Sequence, residues 1–197
     1  MHLNFKHTKI NNKKVEKGLS LIESAMVLAL AATVTAGVMF YYQAASDSNK
    51  TQAAISEVMS ATSAINGLYI GQSGYGGLDK NVLKNSSAIP DNYKKGTEIL
   101  NPFGGNLEVG AANNGSGYGY YLTLTELPKS ACISLATLNL GTSAYGYGIG
   151  ITNAANHTDF NGNSGGTTLA KKEALSPSDA SGGCQDGNAN KVTYFMK

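Results

Sequence analysis

From Ser24 to Tyr42 the chain carries no charged side chain, a run of 19 residues dominated by Ala, Leu, Val and Met and free of Pro. At about 1.5 Å per residue, such a run forms a helix of about 28 Å, close to the ~30 Å hydrocarbon core of a bilayer. A short apolar lead, Leu19-Ser20-Leu21-Ile22, and one carboxylate, Glu23, come before it. Beyond Tyr42 the pattern turns polar, but Ile55, Val58, Met59, Thr62, Ile65 and Tyr69 recur at spacings of three and four. That spacing predicts one apolar stripe on a helix in water, with Ser56, Glu57, Ser60 and Ser63 mostly off it. The two patterns join without a proline and predict one helix ending near Gly67 to Gly71. Gly37 is its weak point, because Gly costs about 1 kcal/mol relative to Ala in a helix interior. Unwinding on assembly is expected to begin there.

Residues 71–106 are rich in Gly, Asn and Ser and read as a connecting loop, with one helical turn around Leu78, Val82 and Leu83. Asn101-Pro102-Phe103-Gly104-Gly105 signals a turn before a short strand at Leu107 to Val109. A stronger strand follows at Tyr118 to Leu124, with Tyr118, Tyr120, Leu122 and Leu124 on one face. Pro128 suits the first turn of a helix over Ser130 to Leu140, with Gly141 as its stop. Tyr145 to Thr152 reads as a strand, and Asn153 to Gly166 as polar loop. Ser176-Pro177 is a cap followed by a first-turn proline, opening a short helix toward Gly182. The chain ends on Val192 to Met196, an apolar and aromatic strand that belongs inside a sheet rather than at its edge.

Charge changes the picture less than its total suggests. The net charge is +2, but residues 1–18 hold five lysines against Glu16, and without them the chain is near −2. The chain has no arginine, so nothing favours nucleic acid or phosphate as a partner. Lysines before the apolar helix and none within it set a positive-inside orientation, which places the residues after Tyr42 outside the membrane. On that oxidising side Cys132 and Cys184 are expected to pair. Two buried free thiols or a metal pair are the alternatives, disfavoured because no CxxC motif and no nearby His accompany them.

Catalytic chemistry is poorly supported. Gly162-Asn163-Ser164-Gly165-Gly166 fits G-x-S-x-G, but no His follows Ser164, and His157 lies upstream in the same polar loop. A hydrolase elbow needs a strand before it, a helix after it and a later His. Gly146, Gly148 and Gly150 alternate by two, a strand spacing rather than a phosphate loop. No cofactor and no metal site is expected, and the chain is not read as an enzyme.

Glu23 is the residue that asks for a partner, since a carboxylate at the edge of a membrane helix is costly. Cleavage after Gly18 would create a free amine on Leu19. Within one helix that amine lies one turn from Glu23; between staggered copies it could meet a neighbour's Glu23 and fix their register. An ordinary signal anchor with a stray Glu is the competing account.

Gly18-Leu19-Ser20-Leu21-Ile22-Glu23, after lysines and before an apolar helix, resembles the leader junction of type IV pilins. Leu19 in place of the commoner Phe, with an 18-residue leader, resembles the type IVb branch. The stretches SATSAINGLYIGQ (60–72), SAIPDNY (87–93), NPFGG (101–105), GYYLTLT (119–125), SLATLNLGTSA (134–144) and NKVTYFMK (190–197) look like the bundle-forming members of that branch in enteric bacteria. The resemblance implies cleavage after Gly18 by a prepilin peptidase, N-methylation of Leu19 and an assembly role for Glu23. It also implies an α+β fold: a long N-terminal helix packed on an antiparallel sheet, with a C-terminal region bounded by the disulfide.

The expected organisation is a leader over 1–18, a transmembrane and filament-core helix over 19–45, its amphipathic outer half over 46–71, and a globular head over 72–197. The expected function is that of a major structural subunit of a type IVb pilus, serving adhesion, auto-aggregation and microcolony formation. The implied partners are further copies in a helical filament, the prepilin peptidase, the assembly machinery with its ATPases, the inner membrane before assembly, and a ligand on host or bacterial surfaces. The Asn153 to Gly183 surface, polar and looped, is the expected outward display. A minor pilin, a secretion pseudopilin or an anchored binding module that never polymerises are the competing readings.

Overall fold

The computed structural model describes residues 21–113, 115–162 and 168–197. Gly18 and Leu19 lie outside the described residues, as does Ser164. Residues 1–43 and residues 44–197 fall in two compact units. Helix α1, Leu21–Leu68, contributes to both and is helical through Gly37. In its first part Thr33 and Thr35 donate to the carbonyls of Ala29 and Ala31 at 3.1 and 2.8 Å, so hydroxyls in an apolar stretch are satisfied within the helix.

In the second unit α1 is followed by α2 (Lys80–Lys84), a two-stranded ladder of β1 (Lys94–Lys95) and β2 (Glu98–Ile99), and then β3 (Leu107–Ala111). Next come β4 (Tyr120–Leu127), α3 (Lys129–Ala136), β5 (Ala144–Ile149), β6 (Leu169–Lys171), α4 (Pro177–Gly183) and β7 (Asn190–Met196). Five strands form one antiparallel sheet in the order β3-β4-β7-β5-β6. The last strand therefore sits at its centre, as the apolar chain end predicts. Its register pairs Leu122 with Tyr194 on one side and Tyr147 with Tyr194 on the other. β6 is a three-residue edge strand that the hydropathy pattern does not signal.

One face of the sheet packs on the outer part of α1. Ala54, Val58, Ala61 and Ile65 join Tyr120, Leu122, Leu124, Val192, Tyr194 and Met196 in a single apolar core. This corrects the expected stripe. Met59 is 59% exposed, while Ala54, Ala61 and Glu57 are buried. The contact face is rotated toward the small residues because alanines let the sheet approach the helix closely. Large side chains dominate a hydropathy pattern and hide such a face.

The other face carries a second cluster of Tyr118, Ile151, Ala154, Phe160, Ala170 and Phe195. Tyr118 belongs here, not with Tyr120, because it precedes β4 between two glycines and escapes the strand alternation. Gly146 makes room for this cluster: a Cβ there would stand 2.6 Å from the Phe160 ring. The period-two glycines of β5 thus serve packing. Thr123 and Thr193 share a buried hydroxyl hydrogen bond of 2.9 Å between β4 and β7.

Helix α3 starts after Pro128 as expected but ends at Ala136, four residues before the predicted end. Gly141, at φ +66°, opens a 3-10 turn instead. Ser176 caps α4, accepting from the Asp179 amide at 3.2 Å, with Pro177 at its first turn. Cys132 on α3 and Cys184 at the end of α4 form a disulfide, with Cα atoms 6.0 Å apart. Asn190 bolts the turn beside it, donating to the Leu127 carbonyl at 3.0 Å and accepting from the Gln185 amide at 2.6 Å.

Candidate assembly site

The first part of α1 is apolar on every side, and its large apolar side chains are exposed. Leu21 is 90% exposed, Leu28 70% and Phe40 75%. The surface continues through Met26, Val34, Val38, Met39, Tyr41 and Tyr42. A soluble protein rarely leaves so large an apolar surface open, so a membrane or other copies must cover it. The helix is long and apolar enough to cross a membrane. Within this surface Glu23 is the only charge and lies in the first turn of α1.

Of the site residues expected from sequence, Glu23 and the two cysteines are described. The structure places them in different units: Glu23 in the exposed apolar helix, the disulfide in the head. His157 stacks on Phe195 with ring centroids 5.3 Å apart, and its Nε2 lies 2.7 Å from the Asp159 carbonyl. Among the described residues no group of three His, Cys, Asp or Glu converges on a site for a metal.

Sequence reasoning missed one polar residue on the outer half of α1. Glu57 is 5% exposed, and neither carboxylate oxygen has a hydrogen-bond partner among the described residues. Burial pushes its carboxyl up to about 8. It lines a cavity of about 190 Å³ with Ser56, Ser60, Pro90 and Tyr93. Its spacing was legible: Ala54, Glu57, Val58, Ala61 and Ile65 follow a helical face, but a charged residue is not normally counted into one.

Other carboxylates of the head are held below the usual range by partners. Hydrogen bonds from the Val82 amide and from Asn81 lower Asp79, at the cap of α2. Lys80 lowers Glu98, and Lys171, 2.7 Å away, lowers Asp179. Tyr194 is fully buried, and desolvation raises its phenol; the hydroxyl donates to the Leu135 carbonyl at 2.8 Å and ties β7 to α3.

Comparison with known proteins places this arrangement. The bundlin family model matches residues 43–197. The major structural subunit of bundle-forming pilus from Escherichia coli O111:H- is 68% identical over 193 residues, covering 96% of this chain and 99% of that protein. The subunit of the same name from Escherichia coli O127:H6 matches with the same identity and coverage. Among solved structures, TcpA, a type IV pilin from Vibrio cholerae El Tor biotype, superposes with a TM-score of 0.54 at 14% identity. The match covers 76% of this chain and 99% of TcpA. The type IV b pilin from Salmonella typhi gives 0.50 at 17% identity, with the same coverage. At these identities the two structures speak for the fold: a type IV pilin fold of long N-terminal helix and antiparallel sheet.

Proposed function

The chain belongs to the bundlin family, and on that premise we propose that it is the major structural subunit of a bundle-forming, type IVb pilus. Its work is assembly rather than catalysis. The precursor sits in the inner membrane through the apolar part of α1, with the head on the outer side. A prepilin peptidase cuts after Gly18, and the new Leu19 amine is methylated. Copies then leave the bilayer and pack their apolar helices into a surface filament, exchanging lipid contact for one another.

Glu23 sets the register. Leu19 and Glu23 are four residues apart, about 6 Å along a helix. A copy shifted by that amount brings its Leu19 amine level with the Glu23 of its neighbour. In a low-dielectric surrounding such a pair is favourable, whereas an unpaired carboxylate is costly, so shifts that leave Glu23 alone are disfavoured. Assembly ATPases in the cytoplasm drive extension and retraction. The heads form the outer surface and carry adhesion, auto-aggregation and microcolony formation.

The observation that supports this reading best is the open apolar surface from Leu21 to Tyr42, interrupted only by Glu23. Material sheared from cells tests it by intact mass and N-terminal analysis. An abundant chain beginning at methylated Leu19 is expected. A chain beginning at Met1 and confined to membranes would favour an anchored module that never polymerises.

A further inference from the structure

We propose that the two flanks of α1 between Ala44 and Ala53 are complementary docking surfaces, in which the cleft around Asp47 of one copy receives Lys50 of the next copy in the filament. The inference rests on the filament reading above and adds a contact made beyond the apolar run.

Two clefts border this stretch, both within the second unit. The first, of about 460 Å³, runs between α1 and α3, where Asp47, Ser48 and Thr51 face Ser130 and Ser134. Asp47 is half-buried there, and both serines are exposed. The second, of about 390 Å³, runs between α1 and the segment 92–104, where Asn49 and Lys50 face Asn92, Tyr93, Leu100 and Pro102. At 3.6 residues per turn, Ala44 of the first cleft and Ala53 of the second stand about 180° apart around α1. The clefts therefore open on different sides of the helix.

The clefts carry opposite charge. Asp47 is the acid of the first, and exposed Lys50 is the base of the second. The two are three residues apart on one helix, yet among the described residues neither makes an ion pair. A primary ammonium has three donors, and the Asp47 carboxylate with the Ser130 and Ser134 hydroxyls offers acceptors on both walls of the first cleft. A divalent metal fits poorly, because such ions take several oxygen ligands and this cleft has one carboxylate. Helical side chains lean toward the N-terminus, so the Lys50 stem leans toward the level of Asp47.

Charge complementarity on two sides of one helix argues for a second copy as the occupant. A contact that joins one face of a copy to a different face of the next repeats without closing and builds a filament. Every copy offers both halves of this contact, an acidic cleft and a basic one. In sequence the stretch begins two residues after Tyr42, where the exposed apolar surface ends. The flanks thus adjoin the surface that the filament reading buries. Such a pair selects which faces meet more than it adds affinity, because like charges set against each other disfavour a contact strongly.

The test expresses full-length Asp47→Lys and Lys50→Glu chains, singly and together, in cells that lack the wild-type chain. Mass spectrometry of sheared filaments reads the yield of each. Either variant alone sets like charges against each other at every contact, and its filaments fall about tenfold or more. In the mixture the introduced ammonium of one chain meets the introduced carboxylate of the other, and native Asp47 meets native Lys50. Filaments then exceed the sum of the two single yields at least fivefold and hold both chains in about equal amounts. A chain carrying both substitutions recovers as well, which shows that the fold accepts each. A mixed yield no higher than the sum would overturn the proposal, because mixing cannot restore an Asp47–Lys50 pair made within one chain. Wild-type yields from either variant alone would overturn it equally. Absence of filaments from the wild-type chain would instead count against the filament reading.

Discussion

Cys132 on α3 and Cys184 at the end of α4 are joined with Cα atoms 6.0 Å apart, at a sequence separation of 52. The bridge ties the segment leading into β7 to the helix that packs on the same strand. Closing a loop of this length stabilises by about 4 kcal/mol in the chain-entropy treatment. Replacing both cysteines by serine should cost about 2–5 kcal/mol and lower the melting temperature by about 10 °C. Differential scanning calorimetry of the full chain, with and without reductant, checks it. An unchanged transition after complete reduction would show that the bridge stabilises nothing.

Glu57 gives the second unit an unusual pH dependence. Its carboxyl titrates near 4.5 in the unfolded chain and near 8 in the fold. Between those values the native state holds a proton that the unfolded state has lost. Its contribution is therefore complete below about pH 4.5 and declines as pH rises to about 8, by up to about 1.4 kcal/mol per unit. Glu57→Gln removes the titration. The stability gap in favour of the variant should widen from pH 5 to pH 8, as read by denaturant midpoints of the full chain in detergent. A constant gap would mean that the carboxyl is not protonated in the fold.

Much of this fold can be read directly from the sequence, and the exceptions have physical causes. The apolar run, the Ser176-Pro177 cap, the proline before α3 and the central last strand are local signals that tertiary packing does not override. The face of α1 is different. Ala54 and Ala61 are buried because the sheet comes close, and Glu57 because it sits between them on that face. Those facts depend on a partner element distant in sequence. Tyr118 is misread for a related reason: the glycines on either side break the alternation that assigns it to a face. β6 is too short to carry a period at all. For the assembly site, Glu23 stands out in sequence because it interrupts an apolar run. Glu57 does not, because charge on a water-side helix is ordinary until the burial is seen.

Gly105 is held by close packing. A Cβ at this buried position would lie 2.1 Å from the Thr125 carbonyl oxygen, a backbone atom that cannot rotate aside. The same corner is fixed by Asn101, whose amide donates to that carbonyl at 2.8 Å. Gly105→Ala should force β4 to shift and cost about 2–3 kcal/mol. Urea unfolding of the variant measures it, and a loss under about 0.5 kcal/mol, the range of an ordinary surface substitution, would show that the corner adapts freely.

The register role of Glu23 meets its most direct test in Glu23→Ala, scored by the amount and N-terminus of the chain in sheared and membrane fractions. The account predicts normal cleavage after Gly18, a stable chain retained in the membrane and at least a hundredfold fewer filaments. Wild-type numbers of filaments built from the processed Glu23→Ala chain would contradict it, because register would then be set without the carboxylate.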